Sequence, residues 1–535
     1  MAKGSGPVHL ARVVRKYKDR EYVSWLLRRS FREDGKVRHE TVANVTALPD
    51  HAIDALRRAL TGAPEAPGVR GDAQVTRSLP HGHVAAVWAV VRNLGLPFLL
   101  GPPGRERDLA LALVVARVCR PAVDPATRWW TDTTLALDLD VADATAADLE
   151  AAVDWLATRQ PAIETALGRR HLVPGGRAFY AIGQSTAGAP APASTGPSYG
   201  LLRESGGVPV AIDVVAGGEV DPTAFVAPAA AQRQRFRLED VVLVGEHRLL
   251  SSGLIPLIEA AGGLGWITAL RPSAVQALAV SGALPADAAG PIDPVEFSHP
   301  DHAGERLVVW KDPALASAAA ADRDQLLEAA EQLLAPLVDA VGDGRLAGVG
   351  KIRARVERAL DRLGTAELFD LTITGASLVF SRRAAAVAAE AALDGVTVLR
   401  TRLAGDLEAV AVVDAYRGLA DPALQALGAA GPRAGGGTRQ RRQGRAVLGL
   451  LAAHTAWHLR RAWVPLLAAD HRSTVGQDGP AGPGGLLDHL ATLTRNTLAL
   501  GEGIAVDRLC VPTAAQQQAF DLLGSPVPVR LGKAQ

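Results

Sequence analysis

Residues 177–185 read RAFYAIGQS, and the reading of this stretch decides the fold. It is the first of several short β-rich runs, at 177–182, 199–204, 208–216 and 240–245, with a helical stretch near 222–235 before the last. Strands in that order, then a helix and a further strand, predict an α/β fold: a mixed sheet flanked by helices. Two more segments belong with the first. Residues 241–252 read VVLVGEHRLLSS and residues 416–430 read YRGLADPALQALGAA. Each carries an apolar framework, and Ala181, Glu246 and Ala423 lie within them.

Upstream, residues 22–32 alternate as a strand, Glu33-Asp34-Gly35 turns, and residues 36–45 return, which predicts a β-hairpin followed by a helix from Asp50. Arg28, Arg29, Arg32, Lys36 and Arg38 crowd this hairpin, either as a solvated face or as contacts to phosphates. Residues 80–168 carry mostly helical spacing, at 83–94, 106–119 and 146–167. Downstream, short strands at 266–270, 306–310, 368–374 and 377–381 surround an Ala/Leu/Glu-rich helical region over 314–363. This reads as a large insertion, after which the sheet resumes at 396–401 and a helix runs from about 407 past Tyr416. Segments 187–198, 429–437 and 476–485 are linker-like in composition. The expected division is 1–65, a basic hairpin module; 66–170, a helical subdomain; 171–263 and 396–470, the two halves of the core; 264–395, the insertion; and 471–535, a linker with a helical tail.

With 535 residues, 48% of them hydrophobic, the chain can bury several cores. Cys119 and Cys510 lie far apart in apolar settings, the pattern of reduced, buried thiols and a cytoplasmic protein. The first twenty residues are basic and mixed, unlike a signal peptide, and no apolar run reaches the roughly 18 residues of a membrane span. A net charge of +1 gives no global attraction to nucleic acid, so DNA affinity has to come from local patches. One such patch is Arg433, Arg439, Arg441, Arg442 and Arg445, with Arg460 and Arg461 later, because no acidic residue stands between 431 and 461. The competing reading is a basic loop without a ligand.

Beyond these local patterns, the chain resembles the DDE transposases of bacterial insertion sequences, in the branch with a β-rich insertion before the third acid. The resemblance rests on collinear blocks: SFREDGKVRHETVANVTALP, VPVAIDVVAGGEVDP, RLEDVVLVG, GLGWITALR, SHPDHAGERLVV, LDGVTVLRT, WHLRRAWVPLL, DHLATLTRNTLAL and QQQAFDLLG. It implies an RNase H-like core in which three acids hold two divalent ions about 3.5–4 Å apart for strand cleavage and transfer. Magnesium needs oxygen ligands. The first acid of the family follows a tyrosine, and here Ala181 follows Tyr180; the second follows the fourth strand, where Glu246 adds a methylene. A small residue usual two places later is Arg248, which can pair with Glu246 or point to solvent. The third, seven residues after Tyr416, is replaced by Ala423, and the lysine expected seven further on by Ala430.

The leading expectation is therefore a transposase-derived protein that binds double-stranded DNA, or a protein partner, without strand-transfer chemistry and with no cofactor; a homodimer is compatible with it. The alternative is an active Mg²⁺-dependent transposase using Glu246 with relocated acids such as Asp213, which interrupts an apolar strand beside the first. The pairs His81/His83 and His299/His302 lack further ligands at metal-binding spacing and read as turn or surface residues. His247 beside Ser251 and Ser252 has no oxyanion-forming glycine motif with it.

Overall fold

The structure, a computed structural model, describes residues 8–17, 20–33, 36–61, 74–121, 129–184, 198–215, 222–285, 293–403, 407–420, 438–470, 482–499 and 504–532. The chain divides into two compact units, one of residues 1–77 with 497–506 and one of residues 78–496 with 507–535.

In the first unit, β1 (Val8–Tyr17), β2 (Arg20–Glu33) and β3 (Lys36–Asn44) form an antiparallel sheet in that order, followed by α1 (Asp50–Thr61). The expected hairpin is β2–β3; β1 was hidden by its basic composition. Arg57 ties α1 to the sheet, its guanidinium 4.9 Å from the centre of the Trp25 ring.

The second unit begins with β4 (Gln74–Pro80), which enters it at residue 78, and a helical layer: α2 (Gly82–Asn93), α3 (Leu96–Leu100), α4 (Arg105–Cys119), α5 (Leu135–Asp138) and α6 (Ala146–His171). A capping box starts α6, with Thr145 Oγ1 accepting from the Asp148 amide and Asp148 accepting from the Thr145 amide. Then come β5 (Arg177–Gln184), β6 (Ser198–Glu204), β7 (Pro209–Val215), α7 (Val226–Phe236), β8 (Asp240–Gly245), α8 (Ile255–Ala260), β9 (Leu264–Ala269), α9 (Pro272–Val280), β10 (Val295–Phe297) and β11 (Arg306–Lys311). The chain continues through α10 (Pro313–Gly342), α11 (Val349–Asp361), β12 (Phe369–Ile373), β13 (Leu378–Arg382), α12 (Ala384–Ala392), β14 (Val396–Thr401), α13 (Ala409–Arg417) and α14 (Arg439–Asp470). It ends with α15 (Gly482–Ala491), β15 (Thr494–Ala499), β16 (Ala505–Leu509) and α16 (Ala514–Leu522).

One eight-stranded sheet organises this unit, in the order β10-β11-β14-β9-β8-β5-β6-β7. β5, β8 and β9 run parallel, β6 and β7 extend β5 antiparallel, and β14 pairs antiparallel with β9 and β11. Residues 241–245 of β8 are all buried, which explains their unbroken apolar sequence: a central parallel strand is covered on both faces. On one face Tyr180 and Leu243 join the core of α4, α6 and α14; on the other Phe179, Val242 and Val244 pack with Val412 and Val413 of α13.

Two strands assigned to the insertion belong to this sheet. β9 and β11 hydrogen-bond into it because Trp266 and Ile267 on β9, and Val308 and Val309 on β11, are buried to both sides. A separate apolar cluster forms downstream, from Leu327, Leu334, Ile352, Val356, Phe369 and Leu378. The helical region 314–363 is two helices, broken where Gly344 (φ 71°) and Gly348 (φ 95°) take left-handed backbone. The expected helical tail contains the strands β15 and β16 as well.

The approach of α14 to α6 is set by Gly444, where an added Cβ would lie 1.9 Å from the Val153 carbonyl oxygen. Gly444→Ala would gain about 1 kcal/mol of helix propensity. We expect a net loss of roughly 1–3 kcal/mol nevertheless, since the clash is with backbone and the helices must separate. Chemical denaturation of the variant measures this; a net gain in stability would show that the interface yields.

Candidate functional site

β5 supplies Tyr180 and Ala181 on opposite faces, as successive strand residues must. Ala181 is buried, level with Val244 of β8 and Leu201 of β6, so no carboxylate stands at the first expected ligand position. Tyr180 points the other way. Its ring crosses β6 at Gly200, where a Cβ would come within 2.0 Å of the ring, and its hydroxyl donates to Asp213 on β7 at 2.9 Å. Gln232 of α7 donates to the same carboxylate oxygen at 3.0 Å. Burial first, and the Asp213 charge second, push the Tyr180 phenol well above its usual range, so the hydroxyl keeps its proton as a donor.

Glu246 follows β8 directly. Its carboxylate accepts from Arg248 at 2.8 Å, an exposed pair of modest energetic weight. Arg248 is thus paired with Glu246 while both side chains stay largely open to solvent. The neighbouring Tyr416 phenol of α13 is pushed up to about 12, by burial first and then by the Glu246 charge. Ala423 and Ala430, with Pro422, lie outside the described residues, as does Arg433.

Asp213 instead borders an open cleft of about 670 Å³ with Ala157, Thr158, Pro228, Arg439 and Gln443. Beneath it runs a buried polar chain. Gln443 of α14 donates to Gln160 of α6; Gln160 donates to Glu164 at 2.7 Å and to the Ile212 carbonyl at 2.8 Å; Glu164 accepts from the Ile212 amide at 3.0 Å and pairs with Arg235 of α7. Burial, the largest influence, raises the Glu164 pKa against these donors. This network joins α6, α7, α14 and β7. Its members are scattered over nearly 300 positions, so no local pattern announced it.

The basic candidates have different surroundings. Cross-strand register sets Arg29 and Arg38 on one face of the N-terminal sheet, since Arg29 opposes Glu40 and Arg38 opposes Phe31, and Arg28 on the other face. Arg32 and Lys36 lie in β2 and β3, with side chains outside the described residues. In α14, Arg439 and Arg442 are exposed and Arg445 is half-buried. Arg441 donates to Glu150 at 2.9 Å and to Asp154 at 2.8 Å, so it fastens α14 to α6.

Two readings need correction. His81 and His83 are buried rather than at the surface: His81 contacts Thr134 Oγ1 at 2.7 Å and the Pro528 carbonyl at 2.6 Å, and His83 opens the buried helix α2. Of the cysteines, Cys119 is buried but Cys510 is exposed, 3.0 Å from Thr494 Oγ1. Burial, and then the charges of Arg120 and His81, lower the His83 pKa to about 3. Between about pH 6.5 and 3 the unfolded chain therefore takes up a proton that the folded chain refuses, and the stability present at neutral pH is lost as pH falls. His83→Gln is expected to shallow that acid-side loss by up to about 1.4 kcal/mol per pH unit. Denaturation series of both proteins across this range test the point, and parallel pH profiles would refute it.

Fold and site together define a mixed α/β protein with an N-terminal three-stranded sheet and an eight-stranded sheet. Residues 10–68 match the family model of the IS1634 family transposase N-terminal domain, which supports a bacterial insertion-sequence transposase as its origin. No curated protein and no solved structure matches the chain. Among the described residues, no helix is long and apolar enough to cross a membrane.

Proposed function

We propose that the protein is a transposase-derived, cytoplasmic DNA-binding protein of the DDE type that no longer performs strand transfer. The observation that carries this reading is Ala181, a buried methyl group at the strand position where the resemblance calls for a metal-binding acid. A methyl group cannot ligate magnesium. Glu246 keeps a carboxylate, but Arg248 occupies it with a positive charge. The strand order β7-β6-β5-β8-β9, with three antiparallel strands followed by two parallel ones, supports an RNase H-like ancestry.

Asp213 bears on the alternative of an active enzyme with relocated acids. It shares the Tyr180 face, whereas Val244, at the end of β8 that leads to Glu246, packs with Phe179 of β5 and with α13. That separation favours the inactive reading. DNA would be held by arginines of the N-terminal sheet and of α14, through phosphates and without base readout.

The test uses the full chain with duplex DNA. Binding without cleavage in Mg²⁺ or Mn²⁺ is expected, with affinity falling roughly a thousandfold between about 50 and 200 mM salt if about six phosphates are contacted. Metal-dependent cleavage that disappears in Glu246→Gln would establish the active enzyme instead. Failure to bind any duplex would overturn the DNA role.

A further inference from the structure

His171 ends α6, and His454 and His458, four residues apart, share one face of α14. Their rings gather, with centroids 5.1 Å apart for His171 and His454, 4.8 Å for His454 and His458, and 5.7 Å for His171 and His458. One ring nitrogen of each lies within 4.8 Å of those of the other two. His454 is completely buried, and its Nδ1 is 2.9 Å from the Pro209 carbonyl. A carbonyl only accepts, so Nδ1 carries the proton and Nε2 keeps its lone pair. The Nε2 atoms of all three histidines are buried and without a hydrogen-bond partner. Buried polar atoms are almost always satisfied, so three orphans converging on one point call for a ligand.

We propose that His171, His454 and His458 form a three-imidazole site for a borderline transition-metal ion, with Zn²⁺ as its natural occupant. Three neutral nitrogens leave a fourth tetrahedral position for water, which can enter because His171 and His458 are only half-buried. The His454–Pro209 hydrogen bond is the outer contact that fixes a ligand's tautomer and ring orientation. Tetrahedral binding at about 2.0–2.1 Å would draw the nitrogens together to roughly 3.3 Å. Burial, and then the neighbouring histidines and Arg170, lower His454 to about 3 and His458 to about 4, and burial with Arg170 lowers His171 as well, the direction that favours neutral, ligating imidazoles. A bound ion would pin α14 to the end of α6 and to β7. The site is independent of the DNA-binding reading and of any magnesium chemistry.

The experiment is a Zn²⁺ titration of the full, metal-stripped chain against a chromophoric chelator, with Co²⁺ as a spectroscopic substitute. One ion per chain is expected, with tetrahedral Co²⁺ bands in the visible and a Zn²⁺-dependent rise in melting temperature. His171→Gln and His458→Gln, at half-buried positions, are each expected to weaken Zn²⁺ binding at least ~10-fold. His454→Gln would disturb the core and is not the informative variant. Absence of one-to-one binding, or binding unchanged in both variants, overturns the proposal.

Discussion

Ala181→Asp is expected to destabilise the protein by about 3 kcal/mol or more, and magnesium is expected not to restore the loss. The substituted carboxylate would stand beside Val244 and Leu201 in a buried strand, without a described donor directed at it. Its charge would have to be desolvated or neutralised by a raised pKa, and either consequence favours the unfolded chain. The same substitution is a sensitive probe of the proposed loss of a metal site at this strand end. Were Glu246 and a further acid still arranged around a cation site, a new aspartate would complete it, and millimolar Mg²⁺ would stabilise the variant more than the parent. Thermal melts of both proteins with and without Mg²⁺ decide this, and a magnesium-dependent gain confined to the variant would contradict the proposed loss of metal chemistry.

Asp138→Ala should be as damaging for a different reason. Asp138, the last residue of α5, accepts from Arg495 at 2.7 and 2.8 Å and from the Leu531 amide at 2.9 Å, while Arg495 also donates to the Val529 carbonyl at 3.2 Å. Both side chains are 5% exposed. Removing the acid alone strands a buried guanidinium, at a cost of about 3–5 kcal/mol. Removing both charges, as in Asp138→Ala with Arg495→Leu, should recover much of that loss, because the penalty belongs to the unpaired charge more than to the lost bond. A double variant no more stable than Asp138→Ala would mean that the pair positions the chain end in some other way.

The elements legible in the sequence were those with strong local periodicity. β5 to β8, α2, α4, α6 and α7 follow apolar spacing over six or more residues, and their ranges lie close to those expected. β1 escaped because its charges masked the alternation, and β15 and β16 because they are short and polar. Among the residues singled out by the resemblance, Ala181 and Glu246 could be placed from sequence because one lies within, and the other directly after, a recognisable strand. The i,i+4 spacing of His454 and His458 was a local signal for a ligand pair, but its third member, His171, stands 283 positions before His454 and only packing brings it there.

Sequence by itself determined which side chains are available: a methyl group at Ala181, a carboxylate at Glu246, and arginines in two clusters. Tertiary structure alone decided how they are spent. It turned Asp213 toward Tyr180 and Gln232, paired Arg441 with Glu150 and Asp154, and gathered three imidazoles from two helices. The reason is physical: local sequence fixes backbone periodicity and side-chain chemistry, whereas the partner of a buried polar group is chosen by packing between elements hundreds of residues apart.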